Sequence, residues 1–424
     1  MKRREKNGAV PTWTQRGILL GMLCGLALLP SCGNETEPDA PFCPEVCASY
    51  PSANTAHDVV AADFDEDGHL DLAVIGHLPV DPEQGLVILK GDGKGGFTHM
   101  QSLPVGDHNH GVIAVDLNGD GHEDVVTSTA ARWLPKYETN CVHLFFGDGK
   151  GGFFRHDVLK VEENASGPLD ARAGDLNRDG FVDLVLSGVG PNQAVVLFGD
   201  GQGNFALPGV PFSRRLRTRM SDVGDFNSDG APDVVLTHSG TAVTLLVGDG
   251  AGNLSFAGDF FAGSGPRSVR KADMNKDGKM DLVVSTRMGN GVSVLLGDGK
   301  GSFTDPVHVE TGEDPREVRV GYLNGDRFLD VAIANSLSQT VTFLYGDGAG
   351  NFLGTEDVAV GDAPVMRRVD KPLVIPGFKK PGTGDGIVGL EIADVNEDGR
   401  EDVIASSTYD GRVYLLWSRC SGKP

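Results

Sequence analysis

Carboxylates stand at alternate positions in a loop that this chain repeats, and the shared pattern is D-x-[DN]-x-D-G-x-x-D. The first copy offers Asp63, Asp65, Asp67 and Asp71, and the second Asp116, Asn118, Asp120 and Asp124. Asp175, Asn177, Asp179 and Asp183 follow, then Asp225, Asn227, Asp229 and Asp233. The remaining intact copies hold Asp273, Asn275, Asp277 and Asp281, and Asp394, Asn396, Asp398 and Asp402. Oxygens clustered in this way suit a hard cation, and Ca²⁺ takes about six to eight of them from a flexible loop. Positions 1, 3, 5 and 9 would supply side chains and position 7 its carbonyl, with Gly at position 6 for the sharp turn. Position 7 is His69, His122, Phe181, Ala231, Lys279 or Arg400, an indifference that a main-chain ligand explains. A further copy, Tyr322 to Asp330, has lost its first acid and carries Arg327 where Gly belongs. We expect about six calcium sites, with that copy empty and the Arg cation standing in for the metal. An EF-hand would need Glu at position 12, where Val74, Thr127, Leu186, Leu236, Val284, Ile333 and Ala405 stand. Aspartates that merely cap turns are the simpler alternative.

The elements that must hold these loops are short. Each loop is followed by a Val/Ile/Leu-rich run such as Leu70–Ile75 or Asp183–Ser187, too short for a helix. A second run follows, as in Val195–Phe198, and then a turn reading Gly-Asp-Gly-x-Gly-x-Phe, with copies starting at Gly91, Gly147, Gly199, Gly248, Gly297 and Gly346. Its glycines permit positive φ in a tight hairpin, and its aromatic opens another strand. Each unit is therefore four antiparallel strands, A to D. The acidic loop joins A to B, and the glycine turn joins C to D. Copies recur at about fifty residues, a period that marks a propeller or solenoid. The fold class is all-β, a seven-bladed propeller of four-stranded antiparallel blades with calcium-binding A–B loops. The last copy ends at Leu415-Leu416-Trp417 without a glycine turn. Its missing D strand should come from Cys43–Ser52 and close the ring.

On these repeats the chain resembles the FG-GAP and VCBS repeat family and the integrin α-subunit propellers. The resemblance covers nearly everything after residue 52 and implies a propeller over 53–420, with 421–424 as a tail. It also implies a binding or adhesion role.

Topology puts the A–B and C–D loops on one face. On the other, strand A begins six residues before each acidic loop, at His57, His110, Leu169, Arg219, Arg267, Arg316 and Val388. Five of these seven can carry positive charge. Arg214, Arg215 and Arg217 lie close in sequence, and Arg367, Arg368, Lys371, Lys379 and Lys380 fall in the longest connection. A basic channel mouth would suit an anionic glycan or protein carboxylate. Solvated loop charge is the plainer reading, and a metal held by the two histidines a weaker one. Trp133 and Tyr137, in a B–C loop, could stack on a sugar or anchor a protein.

The ends and the composition set the compartment. Lys2, Arg3, Arg4, Lys6 and Arg16 precede an apolar stretch, Ile18 to Leu29, too short to span a bilayer. Leu29-Pro30-Ser31-Cys32 resembles the lipobox of bacterial lipoproteins, although Pro at minus two departs from the usual pattern. The resemblance implies a signal over 1–31, lipidation of Cys32, a tether over 32–52, and export to the outer membrane, facing the periplasm or the exterior. Cys43, Cys47, Cys141 and Cys420 remain in a disulfide-permissive compartment, in pairings the spacing leaves open. A formal net charge of -22 excludes a general nucleic-acid role. We expect a monomeric, calcium-stabilised, membrane-anchored binding module whose partner is a protein or a glycan. A lectin-like propeller is the alternative, weakened by an aromatic content of only 7%. A polysaccharide-active enzyme is the other. No G-x-S-x-G, H-E-x-x-H or phosphate-binding glycine loop occurs, so the expectation is a chain without catalysis.

Overall fold

The run after each acidic loop is rich in Val, Ile and Leu because neighbouring sheets cover it on both faces. The computed structural model describes residues 44–52, 55–76, 85–106, 108–130, 141–161, 167–189, 193–213, 217–361 and 386–418. The runs form strands Asp71–Gly76, Asp124–Thr129, Asp183–Val189, Asp233–His238, Asp281–Thr286, Asp330–Asn335 and Asp402–Ser407. All their residues are buried except Gly188. The first starts one residue later than the apolar pattern predicts. The Asp at position 9 is the first rung of the ladder, as in Ala62 paired with Asp71 and Gly174 with Asp183.

These strands are the second members of seven antiparallel four-stranded sheets. Blade 1 runs Ala56–Ala62, Asp71–Gly76, Leu86–Gly91 and Phe97–Leu103 as strands A to D. The other A strands are Asn109–Val115, Asp170–Gly174, Thr218–Gly224, Pro266–Ala272, Pro315–Gly321 and Ile387–Ala393. Each packs against the A strands of the two adjoining blades, so the inner ring is closed. Blade 7 takes its D strand from Pro44–Pro51, antiparallel to Arg412–Ser418 with Tyr50 opposite Val413, as the short final repeat predicts. The Tyr50 hydroxyl also donates to the Gly95 carbonyl of blade 1, 2.7 Å away.

The aromatic of the glycine turn opens strand D in blades 1, 2 and 6, at Phe97, Phe153 and Phe352. In blades 3 and 5 it does not. Phe205 and Phe303 make only single bridges to Gly199 and Gly297, and the D strands begin later, at Val210 and Val307. Pro208 and Pro306 intervene, and proline has no amide to give to a ladder.

The core lies between blades. Leu144 and Phe146 of blade 2 pack with Leu184, Leu197 and Phe205 of blade 3, and Phe343 of blade 6 packs with Leu390 and Leu416 of blade 7. Near the axis, main-chain amides add to this packing. Carboxylates of Asp58, Asp170 and Asp222 accept from Val112, Ser221 and Lys271, each in the next blade's A strand, at 2.8–3.1 Å. Among the described residues no helix is long and apolar enough to cross a membrane.

Candidate metal loops and the channel mouth

The six intact acidic loops share one backbone. Position 4 is left-handed in every copy, at Glu66, Gly119, Arg178, Ser228, Lys276 and Glu397. The Gly at position 6 is left-handed too, with φ between 80° and 91° at Gly68, Gly121, Gly180, Gly230, Gly278 and Gly399. That conformation costs a side-chain-bearing residue about 1–2 kcal/mol, which explains the glycine. The position 1 carboxylate accepts from the position 6 amide, as Gly180 to Asp175 at 2.9 Å and Gly399 to Asp394 at 2.8 Å. Position 5 accepts from the amide of position 7, as Phe181 to Asp179 at 2.9 Å.

Position 9 ties this loop to the glycine turn. One oxygen of Asp71 accepts from Phe64 N at 3.1 Å and the other from Gly91 N at 2.8 Å. Asp124, Asp183, Asp233, Asp281 and Asp330 repeat the arrangement with Gly147, Gly199, Gly248, Gly297 and Gly346. A Cβ on the first Gly of the turn would lie 2.0–2.3 Å from the carbonyl oxygen of position 8. The two motifs are thus one unit, in which the turn lies flat on the acidic loop. Burial pushes the Asp71, Asp124 and Asp281 carboxyls up to about 6. Blade 7 has no glycine turn to donate an amide, and burial, with Asp398 beside it, pushes Asp402 up to about 8.

The first loop carries the clearest donor set. Carboxylate oxygens of Asp63, Asp65 and Asp71 lie within 4.8 Å of one another. Asp65 Oδ1 is buried and receives no hydrogen bond. A cation already sits beside this set, since Lys90 Nζ donates to Asp65, one of its members, and, at 2.6 Å, to Asp67. The residues present therefore fit a cation. The sixth copy differs, as its sequence predicts. Arg327 is not left-handed, and Tyr322 offers its amide no carboxylate. The Arg327 guanidinium lies over the Phe328 ring at 5.3 Å and makes no ion pair among the described residues. It faces the neighbouring aromatic and pairs with none of the described loop acids, contrary to the expectation that it replaces the metal.

Position 7 does more than its variety in sequence predicts. In three copies its side chain meets position 4 of the preceding blade. His122 pairs with Glu66, His69 with Glu397, and Lys276 Nζ stands 4.9 Å from the Phe328 ring centre. The contacts join the loops around the rim. Only the spacing of complementary types one blade apart could have revealed them.

On the opposite face the structure brings all seven strand A starts together. His57, His110, Leu169, Arg219, Arg267, Arg316 and Val388 line one cavity with Asp58 and Glu317. Its volume is about 20 Å³, room for a water-sized occupant. His57 Nδ1 donates to the His110 carbonyl at 3.0 Å, and the two rings meet edge to face. Arg316 Nε donates to Asp314 at 2.8 Å, and Arg287 shares that carboxylate. Burial, with Arg316, Arg219 and Arg287 nearby, pulls Arg267 down to about 9.

Below this ring lies an ion-pair layer that sequence reasoning missed. Arg270 and Arg319 both hold Glu317, Arg172 pairs with Asp170 at 3.1 Å, and Arg319 reaches Glu391 at 3.8 Å. Charged residues at alternate places in the A strands were its visible signal. Arg217 is exposed. Cys32, Trp133, Tyr137, Arg214, Arg215, Arg367, Arg368, Lys371, Lys379, Lys380, Cys43 and Cys420 lie outside the described residues. Cys47 and Cys141 are buried.

Comparison with known proteins agrees with this architecture. Residues 175–236, 225–284 and 273–333 match the FG-GAP-like repeat. The chain is similar to integrin alpha-PS5 of Drosophila melanogaster, 33% identical over 93 residues, which is 21% of this chain and only 9% of that protein. An Agrocybe aegerita lectin that recognises non-reducing terminal N-acetylglucosamine shares the fold, with a TM-score of 0.50 and 18% identity over 72% of this chain and 80% of the lectin. So does the periplasmic gluconolactonase of Pseudomonas aeruginosa, with a TM-score of 0.52 and 18% identity over 70% of this chain and 84% of the enzyme. The gluconolactonase corrects the expectation of a chain without catalysis. An enzyme is built on this fold, so the fold and the missing motifs of other folds exclude nothing. The chain carries FG-GAP repeats in a seven-bladed β-propeller similar to those of integrin α subunits.

Proposed function

We propose that this propeller is a calcium-stabilised binding module, exported and held at the outer membrane by a lipid on Cys32. One observation carries the calcium reading. Six loops repeat one backbone around carboxylates, and in the first of them three carboxylates converge beside a buried oxygen without a donor. Positions 1, 3, 5 and 9 of each intact loop, with the position 7 carbonyl, would hold the ion. Bound Ca²⁺ supplies the charge that lets these carboxylates stay ionised side by side. The chain's own part is to hold them, because in blades 1 to 5 Asp at position 9 fastens the loop to the glycine turn. At free calcium ten times the dissociation constant each filled site adds about 1.4 kcal/mol to folding stability. Chelation should therefore lower the melting temperature, and the sixth copy should take no ion.

The FG-GAP repeats and the likeness to an integrin α subunit support an adhesion or protein-binding role for a monomer. A carbohydrate partner is the second reading, supported by the lectin of like fold. A glycan array and a pull-down from surface extracts, each run with calcium and with chelator, decide between them. Capture of a protein only in calcium supports the first, and a sugar signal alone the second. Substituting Cys32→Ser should move the chain from the membrane fraction to the soluble one. Unchanged fractionation overturns the anchor.

A further inference from the structure

We propose that Lys90 is a tethered counter-cation of the first acidic loop, which holds that loop while calcium is absent and competes with the ion for it. The inference rests on the calcium reading above and goes beyond it in making one site unlike the rest. Two departures coincide in blade 1. Position 3 is Asn118, Asn177, Asn227, Asn275, Asn324 or Asn396 in the other copies and a carboxylate, Asp65, only here. The residue before the glycine turn is Phe146, Phe198, Val247, Leu296 or Tyr345 elsewhere and an amine, Lys90, only here. In blades 2, 3, 4 and 6 the position 3 amide donates to the position 5 carboxylate at 2.8–2.9 Å. An ionised Asp65 has no hydrogen to give, and Lys90 Nζ donates in its place, to Asp65 itself and to Asp67 at 2.6 Å. Lys279 of blade 5, by contrast, reaches one loop acid, Asp277, at 3.1 Å.

The ammonium compensates the site without completing it. Asp65 turns one oxygen to Lys90, while its Oδ1 is buried and receives no hydrogen bond. Lys90 makes no ion pair with Asp63 or Asp71, the other members of the convergent set. Calcium takes its oxygens at about 2.3–2.6 Å, and an ammonium on the same oxygens would set two positive charges side by side. Lys90 must therefore swing away on its flexible stem before the ion settles. It stays within reach because the amide of the next residue, Gly91, donates to Asp71 at 2.8 Å. A partly exposed pair of this kind is modest in strength, enough to bias the loop and too weak to shut the site. Its place in the ring gives the device a use. The blade 1 turn accepts the Tyr50 hydroxyl of the closing strand at the Gly95 carbonyl, 2.7 Å away, and the Gly95 amide donates to the Val395 carbonyl of blade 7 at 3.2 Å. The loop that Lys90 holds thus lies at the seam where the ring closes.

The test is hydrogen exchange of the full chain, read by mass spectrometry on peptides from each acidic loop, in chelator and across a titration of free calcium. The Asp67, Gly68 and His69 amides, which donate to loop carboxylates, carry the first loop's signal. In Lys90→Met that loop should exchange at least about threefold faster in chelator, and its calcium midpoint should fall at least about threefold, with the other loops unchanged. A merely structural lysine would raise the midpoint on removal. The shift should shrink in an Asp65→Asn background, where the extra charge is gone. Lys90→Gln is the second variant should the first fail to fold. A first-loop midpoint that stays or rises, or a shift undiminished beside Asp65→Asn, overturns this proposal while calcium protection of the other loops upholds the metal reading. Calcium protection in none of the loops overturns both.

Discussion

Asp58 bridges two blades through its carboxyl, accepting from Val59 of its own strand at 3.0 Å and from Val112 of blade 2 at 3.1 Å. Burial, with Glu317 nearby, pushes it up from 3.8 to about 7 against the pull of Arg319. The folded chain therefore keeps a proton that the unfolded chain releases between those values, and stability from this group falls as pH rises across that window. Asp58→Asn should remove that slope. In saturating calcium, melting temperatures taken from about pH 5 to pH 8 should decline more steeply for the parent than for the variant, and parallel curves would refute the assignment. The sixth acidic loop offers a gain of function at the same scale. Tyr322→Asp with Arg327→Gly restores the shared pattern and should add one calcium per chain by metal analysis. The acids themselves were readable from residue type and spacing alone. The Lys90 contact with Asp65 and Asp67 was not, because Lys90 is twenty-three residues or more away in sequence and reaches them only once strand C is paired.

Each strand of a blade was legible to within a residue or two where apolar runs and glycine turns bracket it. The closing strand Pro44–Pro51 was inferred from what blade 7 lacks. The late start of strand D in blades 3 and 5 went unread, although Pro208 and Pro306 were visible, because pairing was assigned from the aromatic alone. Deleting residues 44–51 should leave Arg412–Ser418 as an open edge. The expected outcome is a lower melting temperature and self-association on size exclusion, and an unchanged monomer would count against ring closure by this strand. The junction of acidic loop and glycine turn separates two roles of glycine. Gly199→Ala sets a Cβ 2.2 Å from the Val182 carbonyl oxygen and should cost about 1–3 kcal/mol through that clash. Gly180→Ala meets nothing within 4 Å, and its penalty of about 1 kcal/mol comes from φ alone. Chemical denaturation of the two variants checks the order.

The whole molecule has two unlike faces. One is a circle of acidic loops, three neighbouring pairs of which meet at positions 4 and 7. The other narrows to a cationic mouth above an ion-pair layer. The strand A starts were read correctly as neighbours at the channel, while the narrowness of the opening could not be read, since it depends on how closely seven A strands meet. The account's central claim is that the acidic loops bind calcium and so hold the ring together. Metal analysis of the purified chain, paired with thermal unfolding before and after chelation, tests it most directly. The account expects about six calcium ions per chain and a marked loss of melting temperature on their removal. A metal-free preparation whose melting curve is indifferent to chelator would contradict it.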